Sequence, residues 1–186
     1  MTNLWTDVKT GPNPPEIVYG VIETPQGSKN KFEFDKEIMA IYLDRVLFSS
    51  VVFPISYGFI PRTLGDDKDP LDIMVLITEP TFPGCVVSAR PIGVLRMKDE
   101  MGNDDKIIAV AENDPRLAEA QGLDWIPKHQ LIEIKEFFRD YKKLEKGKKT
   151  EVLGWEDKDS AYHIINESIE FFKEKYYSIM NKTSVK

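Results

Sequence analysis

Apolar and polar residues follow two different periods along this chain, and the change falls after about residue 110. Before it, short apolar or alternating segments are separated by turns rich in Gly, Pro and Asp, a pattern typical of β-strands. The predicted strands are 17–22, 31–35, 38–47, 71–77, 86–97 and 106–111. In the second of these, Lys31 and Glu33 share one face and Phe32 and Phe34 share the other.

The last third has apolar residues at three- and four-residue steps, which indicates two amphipathic helices. The first is predicted from about Lys128 to Lys146, with Gly147 as its stop signal. The second follows Asp157. Several short strands followed by two helices indicate an α+β domain, with a small barrel and two C-terminal helices packed outside it.

The chain has 186 residues, and we expect a single domain over 1–186, with an irregular lead-in at 1–16 and a C-terminal tail at about 176–186. A hydrophobic content of 41% and a charged content of 30% fit a globular protein. The formal charge of −6 argues against general affinity for nucleic acid or for anionic membranes. No signal peptide or membrane span is recognisable and Cys85 is the sole cysteine, so a cytoplasmic location is expected.

Four carboxylates lie within the seven residues from Asp66 to Asp72, directly before an apolar strand. Pro70 prevents a helix there, so Asp67 and Asp69 fall on the same side of an extended loop. Packing so much like charge against a strand favours a compensating hard cation such as Mg²⁺, which prefers carboxylate oxygen and in turn attracts phosphate. The alternative is a solvated acidic turn.

A second acidic cluster lies in the loop from Lys98 to Lys106, where Asp99 and Asp104 could face the first loop if the adjoining strands are neighbours. A solvated hairpin turn is again the alternative. Together the two clusters would form a multi-metal centre, in which two ions clamp a water and a phosphoryl oxygen and lower the pKa of the water. No P-loop sequence is present, and the residues after Asp67 lack the Gly and Glu that an EF-hand requires.

These acidic loops and their surroundings resemble the soluble family I inorganic pyrophosphatases of the prokaryotic type. Asp67 to Asp72 matches the signature D-x-D-P-x-D of that family. Further segments agree in order and spacing between about Ile17 and Trp155: 27–33, 43–45, 57–61, 83–85, 90–95, Asp99, Asp104, Lys106, 113–116, 137–138, 141–142 and 154–155. Lys68 departs from the family, which often has Gly or another small residue between the two signature aspartates.

The resemblance implies a phosphoanhydride hydrolase (inorganic diphosphatase) that uses Mg²⁺ and a metal-activated water to convert pyrophosphate into two phosphates. Asp67, Asp72 and Asp104 would bind one metal, and Asp72 would be shared with a second. Asp99 and Asp104 would hold a metal that arrives with the substrate. Asp69 would be the general base.

The resemblance also assigns the remaining site residues. Glu23 and Glu33 would act as supporting acids, and Tyr57 would hydrogen-bond at the site as a catalytic residue beside Asp69. The groups that would hold the phosphates are Lys31, Arg45, Tyr57, Lys106, Tyr141 and Lys142. The expected fold is a five-stranded OB-like barrel with flanking helices, the expected assembly is a homohexamer, and no nucleic-acid or membrane partner is expected.

Two alternatives remain open from sequence. A barrel of this type could bind metal or nucleic acid without catalysis, although the net charge and the acidic cluster argue against it. A related hydrolase could act on nucleotides or polyphosphate instead.

Overall fold

The computed structural model describes residues 2–183, which form nine strands, two α-helices and two short 3-10 turns. The strands are β1 (Val18–Thr24), β2 (Asn30–Asp35), β3 (Ala40–Val46), β4 (Ser56–Phe59), β5 (Asp72–Leu76), β6 (Val86–Asp99), β7 (Gly102–Asn103), β8 (Lys106–Ala111) and β9 (Thr150–Glu156). The helices are α1 (Lys128–Asp140) and α2 (Lys158–Thr183), and the 3-10 turns are Pro115–Leu117 and Leu123–Trp125.

Five of these strands close into a ring in the order β1-β4-β5-β8-β6, because β6 also pairs with β1. The β5–β8 pairing is parallel and the other pairings in the ring are antiparallel. Strands β7 and β9 extend the sheet along β6, and β2 and β3 form a separate hairpin. The α+β class and the closed five-stranded sheet confirm the predicted fold.

The helices stabilise the ring through separate apolar clusters. Ile134, Phe137 and Phe138 of α1 are buried in one cluster, with side chains of β4, β5, β6 and β8. Ala161 and Ile165 of α2 are buried in another, which includes residues of β1, β5, β6 and β8. Burial on both faces explains why β8 is apolar after Lys106 instead of alternating. None of the helices formed by residues 2–183 is long and apolar enough to cross a membrane.

The predicted first helix was too long. Helix α1 ends at Asp140, and a succession of turns leads from Tyr141 to Gly147. Gly147 has a φ of 76°, in the left-handed region that glycine adopts without steric cost. Apolar residues in those turns, Tyr141 and Leu144, continued the helical period by chance. The turn geometry directs Tyr141 and Lys142 toward the candidate site.

Strand β9 was not predicted, because its apolar residues, Val152, Leu153 and Trp155, do not alternate strictly and are interrupted by Gly154, which has a φ of 144°. Its place is set by pairing with β6, which sequence patterning does not reveal. Most of the segment expected to be a C-terminal tail belongs to α2, which continues to Thr183; residues 184–186 of that expected tail lie outside the described residues. The lead-in contains turns and one bridge, Asn13 to Ile17.

Candidate active site

A single cavity of about 340 Å³ is lined by all thirteen of the residues singled out from sequence. It opens between the ring, the β2–β3 hairpin and the turns after α1. The residues are Glu23, Lys31, Glu33, Arg45, Tyr57, Asp67, Asp69, Asp72, Asp99, Asp104, Lys106, Tyr141 and Lys142. Residues that are as many as 119 positions apart in sequence therefore meet at one place, and their individual roles remain predictions.

The first acidic loop is held in shape by hydrogen bonds within itself. The Gly65 N–H donates to the Asp69 carbonyl at 2.8 Å, and the Asp69 N–H donates to Asp67 Oδ1 at 2.9 Å. Lys68 between them has φ of 72°, is exposed, and does not line the cavity. The extra lysine charge in the signature therefore points away from the site.

The left-handed backbone of Lys68 leads to a prediction about stability. Replacing Lys68 with glycine is expected to raise the free energy of unfolding by up to about 1 kcal/mol, because glycine adopts this conformation without the steric cost that other residues incur. Urea denaturation of the wild type, Lys68→Gly and Lys68→Ala would test this. The alanine variant keeps the steric cost, and equal gains in both variants would contradict the explanation.

The centre of the cavity is an interleaved set of carboxylates and one lysine. Asp72 at the start of β5 is in register with Lys106 at the start of β8, and the Lys106 Nζ lies within contact distance of Asp72 and 2.8 Å from Asp104 Oδ1. Burial opposes a charge on Lys106, but Asp72 and Asp104 outweigh it and raise the lysine pKa. Burial and the nearby Asp72 raise the pKa of Asp104 to about 6, although Lys106 acts in the opposite direction.

Tyr57 joins this set from β4. Its hydroxyl donates to Asp72 Oδ2 at 2.5 Å, and its ring packs on Phe53 and Phe138 with centroids at 5.6 and 5.9 Å. Burial, followed by the negative charges of Asp72 and Asp104, raises the pKa of Tyr57 well above its ordinary value. Tyr57 therefore stays protonated and acts as a fixed hydrogen-bond donor.

Glu23 reaches the cavity because of an irregularity in β1. The pairing of β1 with β4 shifts between Ile22 and Thr24, so Glu23 lies in a β-bulge. Its carboxylate accepts the Phe34 N–H at 2.6 Å, and burial raises its pKa to about 8.

The raised pKa of Glu23 predicts a pH dependence of folding. Between pH 4.5 and about 8 the unfolded chain loses this proton and the folded chain keeps it, so stability falls as pH rises through this window. Glu23→Gln, which keeps an oxygen acceptor, is expected to reduce the loss of unfolding free energy between pH 5 and pH 8 by at least about 1.4 kcal/mol. Denaturation of both chelator-treated proteins at the two pH values is the measurement, and an identical decline would contradict the assignment.

The β2–β3 hairpin supplies cations and a second glutamate. Lys31 and Glu33 form an ion pair and both line the cavity, as the predicted strand parity requires. Burial and the nearby Arg45 lower the pKa of Lys31. The Arg45 Nε donates to Glu145 Oε1 at 2.9 Å, which ties the hairpin to the turns after α1.

On the other side of the cavity, the second acidic loop meets the turns that follow α1. The Oδ2 atom of Asp99, at the end of β6, lies 3.5 Å from Lys142 Nζ. Tyr141 is buried and stacks on Phe137, with ring centroids 5.2 Å apart. The two acidic loops therefore face one cavity, because their strands both border β8.

Three charged residues of the cavity were missed from sequence: Lys36, Glu100 and Lys148. Glu100 adjoins Asp99, and its acidic neighbourhood was a usable signal. Its ion pair with Lys148 lowers the pKa of Glu100 to about 2. Lys36 lies in the turn between β2 and β3 and forms an ion pair with Asp69; no sequence pattern marked it.

The donor set fits a hard divalent cation. Asp67, Asp72, Asp99 and Asp104 present only carboxylate oxygen to the cavity, which is the chemistry that Mg²⁺ prefers. Within residues 2–183 no three acidic, imidazole or thiol groups already converge as a metal cluster. In this structure lysine ammonium groups form ion pairs with six carboxylates of the cavity: Glu33, Asp69, Asp72, Asp99, Glu100 and Asp104.

Comparison with known proteins agrees with this geometry. The family model described as inorganic pyrophosphatase matches residues 20–173. An inorganic pyrophosphatase from Haloferax volcanii is 49% identical over 95% of this chain and 99% of its own length. One from Nostoc sp. is 54% identical over 86% of this chain and 94% of its own. The crystal structure of inorganic pyrophosphatase from Thermus thermophilus has a TM-score of 0.90 and 45% identity, covering 92% of this chain and 99% of that one.

An acidic cavity that also holds lysines and an arginine has the chemistry to bind a divalent cation together with a phosphate group, as the sites of metal-dependent phosphohydrolases do. The matches over nearly the whole length identify the family: the chain belongs to the inorganic pyrophosphatases, and it is a hydrolase. The relatives from Haloferax, Nostoc and Thermus are prokaryotic, as the sequence resemblance implied.

Proposed function

We propose that this enzyme is a Mg²⁺-dependent diphosphatase that hydrolyses inorganic pyrophosphate to two phosphates by direct attack of water, with Asp69 as the general base. The observation that carries the proposal is the single cavity in which the four aspartates predicted to bind metal face the three lysines and the arginine predicted to hold phosphate. Family membership supports the reaction, and the cavity chemistry supports the metal.

The predicted ligands are Asp67, Asp72, Asp99 and Asp104. When bound there, Mg²⁺ would polarise the phosphoryl oxygens and make a water more acidic. Lys106 and Tyr57 hold Asp72 and Asp104 in place by hydrogen bonds, so these residues orient the carboxylates before a metal arrives.

The chain's own residues carry the remaining steps. Asp69 takes a proton from the attacking water as the new O–P bond forms and the bridging P–O bond breaks. Lys31, Arg45 and Lys142 hold the two phosphoryl groups and neutralise charge on the departing phosphate, with Lys106 and Tyr141 beside them. Glu23 and Glu33 shape the cavity wall, and Glu33 keeps Lys31 in position through their ion pair. Positioning and electrostatics suffice, and no covalent intermediate is required.

The test is phosphate release from pyrophosphate by chelator-stripped protein with and without added Mg²⁺. Rapid release only with Mg²⁺ is expected. Release without metal would overturn the metal dependence, and no release in either condition would favour a binding module without catalysis. ATP and tripolyphosphate in parallel would detect the alternative of a broader phosphohydrolase.

The cellular setting completes the proposal. We place the enzyme in the cytoplasm, where the single cysteine, Cys85, is compatible with a reducing compartment. We also propose that residues 1–186 form one domain and that subunits assemble as homohexamers, as the resemblance implies. Sedimentation of the purified protein tests the assembly.

A further inference from the structure

Trp5, in the lead-in before β1, connects three parts of the chain that surround the first acidic loop. Its indole Nε1–H donates to the Thr63 carbonyl at 2.9 Å, and its backbone carbonyl accepts the Arg62 N–H at 2.8 Å. Its ring meets Phe172 of α2 edge-on, with centroids 5.7 Å apart. Lys36 Nζ lies 4.6 Å from the centroid of the same ring.

The segment that Trp5 holds leads directly into the acidic loop. The Leu64 N–H donates to the Ser168 carbonyl of α2 at 2.9 Å, and the Thr63 hydroxyl accepts the Leu71 N–H at 2.9 Å. Residues before and after the acidic loop are therefore fixed to each other, and α2 and Trp5 support them from outside the cavity. Trp5 lies outside the part of the chain that the family model matches.

Lys36 continues this chain of contacts to the reacting group. It forms an ion pair with Asp69 Oδ1, and its turn is fixed by the Asp35 carboxylate, which accepts the Glu37 and Ile38 N–H groups at 2.7 and 3.0 Å. An exposed ion pair contributes little to folding. Asp69 is largely exposed and Lys36 is its charged partner in the structure, so the pair can instead fix the orientation of the Asp69 carboxylate.

We propose that Trp5 and Lys36 are positioning residues for Asp69: the indole face holds the lysine ammonium, the ammonium binds Oδ1, and Oδ2 is thereby turned to accept the proton of the attacking water. The inference rests on the proposed role of Asp69. It gives a role in the reaction to Lys36, in the turn between β2 and β3, and to Trp5, before β1, neither of which is a predicted metal ligand. Cation–π contact makes the aromatic ring a specific support and not merely packing.

Lys36→Met keeps the aliphatic stem and removes the charge. We expect kcat to fall about tenfold, because a misplaced catalytic group is inefficient even when binding is intact, with KM for pyrophosphate changed less than about twofold. Lys36→Arg is expected to restore most of kcat. Unchanged kcat, an increased kcat, or a change confined to KM would each overturn the proposal; the last would make Lys36 a substrate ligand instead. The control is Lys173→Gln, which removes a similar exposed lysine, paired with Glu170 at 2.7 Å on α2.

Trp5 is tested through its dependence on Lys36. Trp5→Leu is expected to lower kcat, and the double variant with Lys36→Met should be no slower than Lys36→Met alone, because both changes remove one support. Additive losses would overturn the role of Trp5. Trp5→Phe retains a ring beneath the ammonium, so we expect it to keep most of kcat. It is the variant to measure if Trp5→Leu proves too unstable.

A second readout does not require turnover. The chain has three tryptophans, so we expect three indole N–H signals in the NMR spectrum of the metal-free protein. The signal that disappears in Trp5→Phe is the one from Trp5. That signal is expected to shift in Lys36→Met and to stay unchanged in Lys173→Gln; no shift would overturn the contact. An inactive wild type would overturn the proposed function and this inference together, whereas an active wild type with an equally active Lys36→Met would overturn this inference alone.

Discussion

Asp69→Asn is expected to lower kcat for pyrophosphate hydrolysis by about 10²- to 10⁴-fold, the range typical of losing a general base. Asparagine has nearly the same shape as aspartate but cannot take a proton from water. The fold should persist, because the loop bonds at this position involve the Asp69 backbone N–H and carbonyl, and its side chain is largely exposed. Steady-state kinetics at saturating Mg²⁺, together with thermal melting, are the measurements.

Asp66→Asn is the matched control for this variant. It makes the same charge change three residues earlier in the same loop, where the carboxylate accepts the Asn103 amide at 3.0 Å and does not line the cavity. Its kcat is expected to remain near that of the wild type. Full activity of Asp69→Asn would refute the proposed base, and an equal loss in both variants would attribute the effect to total loop charge.

The sequence patterns were most informative where burial dictates composition. Strand β8 was predicted with its observed bounds, Lys106–Ala111, because a short apolar run that is rich in β-branched residues and follows turn signals is typical of a buried strand. The parity of Lys31 and Glu33 placed both toward the same cavity. The order of short strands and helices predicted a small barrel, and the family resemblance added the five-stranded OB-like form. Strand pairing is a long-range property, so neither predicted that β1 and β6 close the ring.

The candidate site likewise divides into residues that a local sequence pattern marks and residues that only the folded chain brings together. Residues in dense motifs, such as Asp67, Asp69 and Asp72, stand out in the sequence because like charges rarely cluster without a reason. Lys36 is an isolated lysine in a turn, and Lys148 is one of several lysines in the irregular segment before β9; the sequence does not distinguish either from a solvated surface charge. They come to the cavity only because the β2–β3 hairpin and the turns after α1 fold over it.

The interleaving of lysines with aspartates explains how an acidic cavity folds before metal is bound. Lys106 lies against Asp72 and Asp104, Lys36 lies against Asp69, and the burial of Glu23 raises its pKa to about 8. The ion pairs and the raised pKa of Glu23 each reduce uncompensated negative charge in the metal-free chain. Metal binding would then compete with internal ion pairs, so the metal affinity of the site should depend on these lysines as well as on the carboxylates.

Gly58→Ala is expected to cause the largest loss of stability among the substitutions considered. A Cβ at Gly58 in β4 would lie 1.8 Å from the Val21 carbonyl oxygen and 3.0 Å from the Glu23 nitrogen of β1. Both are backbone atoms, so the two strands would have to separate at the bulge that directs Glu23 into the cavity. A loss of about 3 kcal/mol or more is expected, at or beyond the upper end for overpacked sites, and Tyr57 beside it would be displaced as well.

Gly20→Ala is the control for that prediction, because it adds the same methyl group to β1 at a place where the nearest atoms are side-chain methyl groups of Ile73 and Val75, both at 3.3 Å. Small side-chain shifts can accommodate it, so Gly20→Ala should lose much less stability in urea denaturation. Failure of Gly58→Ala to fold while Gly20→Ala folds would also meet the expectation. Equal stability of the two variants would mean that β1 and β4 are not held as closely as the structure shows, and that the bulge at Glu23 does not depend on the absence of a side chain at Gly58.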